Sequence, residues 1–245
     1  MSVRWEVRGP AAWITFDRPE AHNAMTFEMY EALFSYCERA DEDDAVRALV
    51  LRGAGGKAFV AGTDIRQFAD FTSGEDGLRY EATIDRVLGR LETVRKPAIA
   101  LVDGYAMGSG LALSAACDLR VCTPEARFGV PIARTVGNCL SMGNYARLAA
   151  VLGEARVKDL VFTARSMDAE EARAIGFATE VVDAAAVERR VDELCQQLAS
   201  HAAVTLRVTK EALRRLRPTP EGDDLVREAY GSEDFRRAVR AFLAR

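Results

Sequence analysis

The sequence predicts an α/β protein, on three observations. Apolar strands and amphipathic helices alternate through its first two-thirds, the remainder reads as helix, and glycine turns sit where strands meet helix starts. The chain has 245 residues, 49% of them hydrophobic and 29% charged. At this length roughly 70–75% of the unfolded surface is buried on folding, so no metal or disulfide staple is needed.

Val3, Trp5 and Val7 alternate with Arg4, Glu6 and Arg8, and Gly9-Pro10 turns the chain into Ala12–Phe16, which predicts a β-hairpin. Thr26 caps a helix whose apolar positions Met29, Leu33, Phe34 and Cys37 keep helical spacing, and Asp41 to Asp44 close it. Ala48–Leu51 is a short buried-type strand that runs into Gly53-Ala54-Gly55-Gly56. Ala98–Val102 is a second strand after the Lys96-Pro97 break, and Leu119–Cys122 a third after a small-residue helix from Ser109 to Cys117. This order predicts right-handed βαβ units on one face of a sheet. Past about residue 140 the reading is almost entirely helical. Leu194, Leu198, Leu206, Val208, Leu213, Leu216, Phe235, Val239 and Phe242 supply apolar stripes, and Arg217-Pro218-Thr219-Pro220 separates two late helices. The tail 232–245 is an amphipathic helix, acidic early and basic late as its dipole favours, with its own core and a partner subunit both open as docking surfaces.

Composition excludes several function classes. Lys and Arg number 33 against 37 Asp and Glu, a net charge of −4, without the basic face a nucleic-acid partner requires. Five cysteines (Cys37, Cys117, Cys122, Cys139, Cys195) lack paired spacing, and the two histidines, His22 and His201, are far apart, so neither a disulfide framework nor a metal site is expected. The N-terminal residues are charged with no apolar run behind them, and no stretch approaches the ~20 apolar residues of a membrane span. A cytoplasmic protein without membrane or nucleic-acid partners is expected.

Two glycine turns carry the chemical signal. In Ala58-Phe59-Val60-Ala61-Gly62-Thr63-Asp64-Ile65 an apolar strand enters a glycine and then an Asp-started helical turn. Gly104-Tyr105-Ala106-Met107-Gly108-Ser109-Gly110 stands between the strand ending at Val102 and the next helix. Glycine admits sharp turns and close approach of a ligand to the backbone, and helix starts present unpaired N–H groups. Each turn alone is also an ordinary strand-to-helix connection. A dinucleotide cradle needs G-x-G-x-x-G and an acidic residue after the next strand. Here the order is G-x-x-x-G-x-G, Thr123-Pro124 follows the strand, and a Gly-Lys-Ser/Thr phosphate loop is absent. Two N–H-presenting turns that converge on one carbonyl oxygen would form an oxyanion hole.

These segments resemble the crotonase (enoyl-CoA hydratase/isomerase) family over nearly the whole chain. The matching blocks, in order, are 18–25, 59–65, Lys96-Pro97, 104–110, 116–120, 126–131 and Ala169-Glu170-Glu171-Ala172 to Gly176. The resemblance implies a crotonase-like ββα spiral over residues 1–190 with an acyl-CoA site. It also implies a helical C-terminal region over 191–245 that packs and builds trimers or dimers of trimers. Coenzyme A enters as part of the substrate, with no other cofactor and no metal. The backbone N–H groups of Thr63 and Ser109 would hold the thioester carbonyl, Ser109 standing where the family usually has glycine. Asn23, Ala24, Ala61, Gly62, Asp64 and Ile65 would line the CoA path, and Gly108, Ile132 and Asn138 the acyl end. Asp64 reads as a helix cap rather than a catalytic acid.

The chain departs from the family where a hydratase keeps two glutamates, since the matching positions are Ala112 and Ile132, and neither side chain transfers a proton. The isomerase glutamate, near Leu140, is missing as well. The polar residues left near the acyl end are Arg134, Thr135, Asn138, Cys139, Ser141 and Asn144. Cys139 is either a nucleophile, if a helix N-terminus favours its thiolate, or an inert pocket thiol. His22 and His201 read as surface or interface residues. The leading function is a lyase or isomerase acting on an acyl-CoA. A family hydrolase or decarboxylase, and a non-catalytic acyl-CoA-binding or structural subunit, are the alternatives.

Overall fold

A computed structural model describes residues 2–218 and 220–244, and its strands fall into two sheets. The hairpin expected at the start is β1 (Val3–Arg8) and β2 (Ala11–Phe16), paired antiparallel with Val3 opposite Phe16. Parallel strands then add to β2 in the order β3 (Ala48–Gly53), β5 (Ala98–Val102), β7 (Leu119–Cys122) and β10 (Glu180–Val181). A second sheet holds β4 (Ala58–Val60), β6 (Tyr105–Met107) and β8 (Arg127–Gly129) in parallel, with β9 (Ser166–Asp168) antiparallel at its edge.

Three successive pairs of strands, β3–β4, β5–β6 and β7–β8, each place one strand in each sheet before the chain enters a helix. Those helices are α2 (Gly74–Thr93), α3 (Ser109–Ala116) and α4 (Met142–Leu152). This repeat is the ββα spiral that the family resemblance implies. α1 (Phe27–Glu42) precedes it, and the Thr26 side chain accepts from the Met29 N–H at its start.

β2, β5 and Ala48–Leu51 of β3 are buried on both faces, which is why they run almost continuously apolar, whereas the edge strand β1 alternates. Ala12, Ile14, Phe16, Leu49, Leu51, Ala98, Ala100 and Val102 belong to the main core with residues of α1, α2 and α3. The intervening residues Trp13, Val50, Ile99 and Leu101 face the opposite way. They pack with Val187, Val191, Leu194 and Leu198 of α7 (Ala184–Ser200).

The C-terminal half differs from its sequence reading in two ways. β9 and β10 interrupt the expected run of helices; strands of three and two residues leave no periodic pattern, and pairing with β8 and β7 makes them. Leu206 is half-buried, but α8 (Ala203–Arg215) buries no residue, leaving Val204, Val208, Leu213 and, at its end, Leu216 exposed. α5 (Glu154–Phe162) and α6 (Ala169–Ala174) carry the chain from α4 to β10. α9 (Asp223–Tyr230) then returns along α2, and α10 (Glu233–Leu243) packs against a 3-10 turn at Ile65–Phe68, so the tail docks on its own core. Thr219, within the expected Arg217–Pro220 break, lies outside the described residues.

Candidate active site

Glycine builds the two turns where side chains are disfavoured. Gly62 has φ +101° and Gly108 φ +54°, both in the region that L-residues rarely adopt. The turns meet: a β-carbon placed on Gly108 would lie 3.7 Å from Gly62 Cα, and one on Gly62 would lie 3.7 Å from the Met107 carbonyl oxygen. Thr63 follows Gly62 in a bridge to Met25, where Met25 N donates to Gly62 O at 2.8 Å and Asp64 N to Met25 O at 2.9 Å. Gly108 N donates to Gly129 O at 2.8 Å, and Ser109 opens α3. Among the described residues no acceptor takes the N–H of Thr63 or of Ser109. The Ser109 Oγ is buried without a well-formed hydrogen bond, although the Tyr30 hydroxyl interacts with it.

A chain of hydroxyls lies beneath. Thr63 Oγ1 is 2.7 Å from the Tyr30 hydroxyl and 2.6 Å from the Tyr80 hydroxyl. Burial pushes Tyr30 up to about 12 and raises Tyr80, so both phenols stay protonated. Tyr80 leans on a cluster of Phe68, Phe71, Tyr230 and Phe235, in which the Tyr230 and Phe235 ring centroids are 4.9 Å apart.

Asp64 is the cap that the sequence predicts: its Oδ1 accepts from the Arg66 N–H at 3.2 Å. It also accepts from Arg66 Nη2 at 2.6 Å and Arg18 Nη2 at 3.1 Å. The Arg66 hydrogen bond chiefly, with help from Arg18, holds the carboxyl down at about 2. Arg18 also donates to the Ala24 carbonyl at 2.6 Å, tying together the two loops that flank the site.

A cavity of about 530 Å³ opens between these loops and the end of α10, lined by Ala21, His22, Ala24, Ala61, Thr63, Asp64, Ile65, Arg66, Phe242 and Leu243. It unites Ala24, Ala61, Asp64 and Ile65 of the expected CoA path. A second cavity of about 950 Å³ shares Ile65 and Phe242 with it and is also lined by Arg134, Thr135, Asn138 and Arg237. Gly62, Gly108 and Ile132 line neither cavity.

Asn23 requires a correction. It is fully buried at φ +57°, and its side chain serves the backbone: Oδ1 accepts from Arg18 N at 2.9 Å, and Nδ2 donates to Ala54 O at 2.9 Å and Ala58 O at 2.7 Å. The residue shapes the loop and lines neither cavity. His22, by contrast, does line the cavity between the loops.

At the expected positions of proton transfer, Ala112 and Ile132 are both buried. The Cys139 thiol donates to the Leu225 carbonyl at 3.7 Å, and burial, with the Glu81 charge adding, pushes it up to about 12. These are the properties of a protonated packing thiol rather than of a thiolate nucleophile. Sequence reasoning missed Arg66, the α10 residues Phe242 and Leu243, and the buried polar groups Tyr30, Tyr80, Glu81 and Tyr230. One signal was available: Glu81 keeps helical register with the buried Ile84 and Leu88 of α2.

Comparison with known proteins agrees with this architecture. A sequence profile of the enoyl-CoA hydratase/isomerase family matches residues 7–230. The short-chain-enoyl-CoA hydratase of Clostridium acetobutylicum is 32% identical over 99% of this chain and 94% of its own length. A probable enoyl-CoA hydratase of Rhizobium meliloti is 33% identical, with 98% of this chain and 94% of that protein covered. The crystal structure of an enoyl-CoA hydratase/carnithine racemase from Magnetospirillum magneticum superposes with a TM-score of 0.84 at 29% identity, covering 100% of this chain and 93% of that one. A profile match and relatives of this identity across the full spiral establish that the chain belongs to the enoyl-CoA hydratase/isomerase family.

Proposed function

We propose that this protein binds an acyl-CoA thioester with its carbonyl oxygen between the Thr63 and Ser109 N–H groups. There it would stabilise the enolate or related oxyanion of a lyase- or isomerase-type reaction. One observation carries the reading: two backbone donors without protein acceptors stand on turns that meet, and the Thr63 turn borders the cavity between the loops. Such donors act by being aimed in advance at developing charge, and each is worth about 3–4 kcal/mol in a water-excluded site. Family membership supports the acyl-CoA substrate, and CoA itself would be the only cofactor-like group required. We place the protein in the cytoplasm; among the described residues no helix is long and apolar enough to cross a membrane.

Hydration is the activity that the names of the relatives suggest. Ala112 and Ile132, standing where the family resemblance implies hydratase glutamates, argue for slow hydration of a simple enoyl-CoA. A missing general acid or base is commonly worth about 10²–10⁴-fold in rate. The same two residues favour a second reading, an acyl-CoA binder without turnover. A decarboxylase or hydrolase that relies on the oxyanion donors is the remaining variant.

The experiment combines calorimetric titration with crotonyl-CoA and a steady-state hydration assay at neutral pH. Binding is expected, lost in Gly108→Val because a β-branched residue is strained at φ +54°. Hydration is expected well below the roughly 10 per second of a median enzyme. Turnover at or above that rate would show that groups other than those at the two glutamate positions move the protons. A complex whose thioester oxygen lies far from both N–H groups would end the oxyanion assignment. Turnover across an acyl-CoA panel separates the enzyme from the binder.

A further inference from the structure

Both turns that carry the unpaired N–H groups pivot on glycine, and glycine alone holds no fixed direction. The peptide planes supply part of the aim. Gly62 O accepts from Met25 N at 2.8 Å, so the trans peptide sends the Thr63 N–H the opposite way. Gly108 O accepts from Ala112 N at 3.2 Å inside α3, so the Ser109 N–H points out of the helix start. What these bonds leave open is the separation of two peptides that belong to different segments of the chain.

Tyr30 of α1 lies against both. Its ring is fully buried, and its hydroxyl is 2.7 Å from Thr63 Oγ1, which the Tyr80 hydroxyl reaches at 2.6 Å from the other side. The Tyr30 hydroxyl also interacts with the Tyr80 hydroxyl and with Ser109 Oγ, an atom that is buried with no other partner among the described residues. Ser109 stands where the family resemblance implies glycine, which would offer no oxygen there. One phenol thus joins the side chains of the two residues whose N–H groups lack acceptors. Its surroundings are stiff: Tyr80 packs edge-on to Phe68 at 5.0 Å, and Phe68 ends the 3-10 turn behind Asp64. With Thr63 Cβ anchored through its hydroxyl and the 62–63 peptide anchored through its carbonyl, the Thr63 N–H has one direction left.

We propose that Tyr30 is a positioning residue of the acyl site: through the Thr63 and Ser109 side chains it fixes the separation of the two N–H groups, so that they favour an enolate oxygen over a neutral carbonyl. The proposal rests on the acyl-CoA reading. Donors discriminate developing charge only when they are held in place before the charge appears, and a shift of about 0.5 Å is enough to blunt them. A neutral carbonyl accepts weakly and tolerates a loose pair. An enolate oxygen carries more charge, gains more from two fixed donors and loses more when they relax. Tyr30 therefore acts on the enolate and hardly on the bound thioester. It touches neither ligand atom and works only through Thr63 and Ser109. Tyr80 steadies the same hydroxyl from α2.

The test compares two ligands. Butyryl-CoA presents a neutral carbonyl, and calorimetry reads its affinity. Acetoacetyl-CoA gives up an α-proton to the buffer and becomes an enolate that absorbs in the near ultraviolet, so a pH series reads its ionisation when bound. Wild type should bind both and bring the enolate up at lower pH than in free ligand. Tyr30→Phe keeps the ring and removes the hydroxyl. It should bind butyryl-CoA within about threefold of wild type while its preference for the enolate falls at least about tenfold, a rise of about one unit in the pH at which the absorbance appears. Thr63→Val should lose at least as much, and Thr63→Ser, which restores the hydroxyl, should recover most of it. Tyr30→Phe combined with Thr63→Val should be no worse than Thr63→Val alone, because both remove the same link. The Glu81 charge acts on both phenols, and burial pushes that carboxyl up to about 7. Glu81 is present in every variant, so the difference from wild type reads Tyr30. An enolate preference in Tyr30→Phe within threefold of wild type, or additive losses in the double variant, would overturn the proposal and leave the oxyanion assignment intact. Loss of butyryl-CoA binding in Tyr30→Phe would overturn it as well, making the residue a support of the fold. Wild type that binds both ligands but leaves acetoacetyl-CoA to ionise as it does in water would remove the oxyanion assignment and the proposal together. Wild type that binds neither would overturn the acyl-CoA reading itself.

Discussion

Asp64 spends both carboxylate oxygens on the Arg18 and Arg66 guanidinium groups and the Arg66 N–H, and this fixes what the residue does. Its folded value of about 2 lies below the ordinary aspartate value near 3.9. The stabilisation is therefore fully present above about pH 4 and is lost as pH falls from there through about 2. A depression of this size corresponds to roughly 2.5 kcal/mol in full, and solvent screening at the exposed Arg66 reduces it to about 1–2 kcal/mol. Asp64→Asn should lower the unfolding free energy by that amount at pH 7, and the gap from wild type should shrink toward pH 2.5. Urea titrations at the two pH values check this; equal stability at pH 7 would show that the ion pairs contribute nothing net. Asp64 was legible in the sequence because capping is local chemistry. Asn23 was not, because the carbonyls that it serves lie more than thirty residues downstream. Glu81 was still less so, since its partners Ser141 and Tyr230 come from two later segments and each contributes a single atom.

At the scale of elements, legibility follows how local each signal is. The hairpin, α1, β3, β5, α3 and β7 were all readable, because apolar runs bounded by Gly, Pro or a capping residue specify them without help. α2 opens on a Ser73–Asp76 capping box but has no uninterrupted apolar run behind it. Its buried positions Tyr80, Ile84, Val87, Leu88 and Leu91 are interleaved with eight charged residues from Glu75 to Glu92, and packing on α1, α3 and α9 defines its inner face. The role of α10 was likewise tertiary information. Ser232 caps it by accepting from Phe235 N at 3.1 Å, and Phe235 enters the aromatic cluster at 4.9 Å from Tyr230 and 5.8 Å from Phe68. Because Phe68 ends the 3-10 turn behind Asp64, the ring anchors α10 over both cavities. Phe235→Ala should cost about 3–5 kcal/mol, the usual price of emptying an aromatic site that cannot collapse. Amide hydrogen exchange should accelerate in α10 and at 65–68 before it does in the six-stranded sheet. Uniform acceleration across the molecule would mean that α10 has no separate opening step.

For the whole molecule, the surface left uncovered is as informative as the core. α7 closes the outer face of the six-stranded sheet, whereas α8 touches that cluster through Leu206 and is tied down by Lys210, whose Nζ reaches Asp118 Oδ2 at 2.8 Å and the Lys96 carbonyl at 3.2 Å. No residue of α8 is buried, yet it carries Val204 at 61%, Val208 at 50% and Leu213 at 64% exposure, followed by Leu216 at 78%. Scattered apolar residues are normal on a monomer, but four on one helix and its cap that no described residue buries fit a surface awaiting its own kind. Closed cyclic assemblies bury such surfaces without leaving a free end. We therefore propose a trimer or a dimer of trimers built partly through α8. Sedimentation equilibrium at micromolar concentration should return about three or six times the 26.8 kDa chain mass. Val204→Asp combined with Leu213→Asp should shift the population toward monomer, because each buried carboxylate would lack a partner. The same variant should keep its far-ultraviolet circular dichroism, since neither side chain belongs to the core of the single chain. A wild-type mass of one chain would refute the assembly; a variant that stays trimeric would move the interface away from α8.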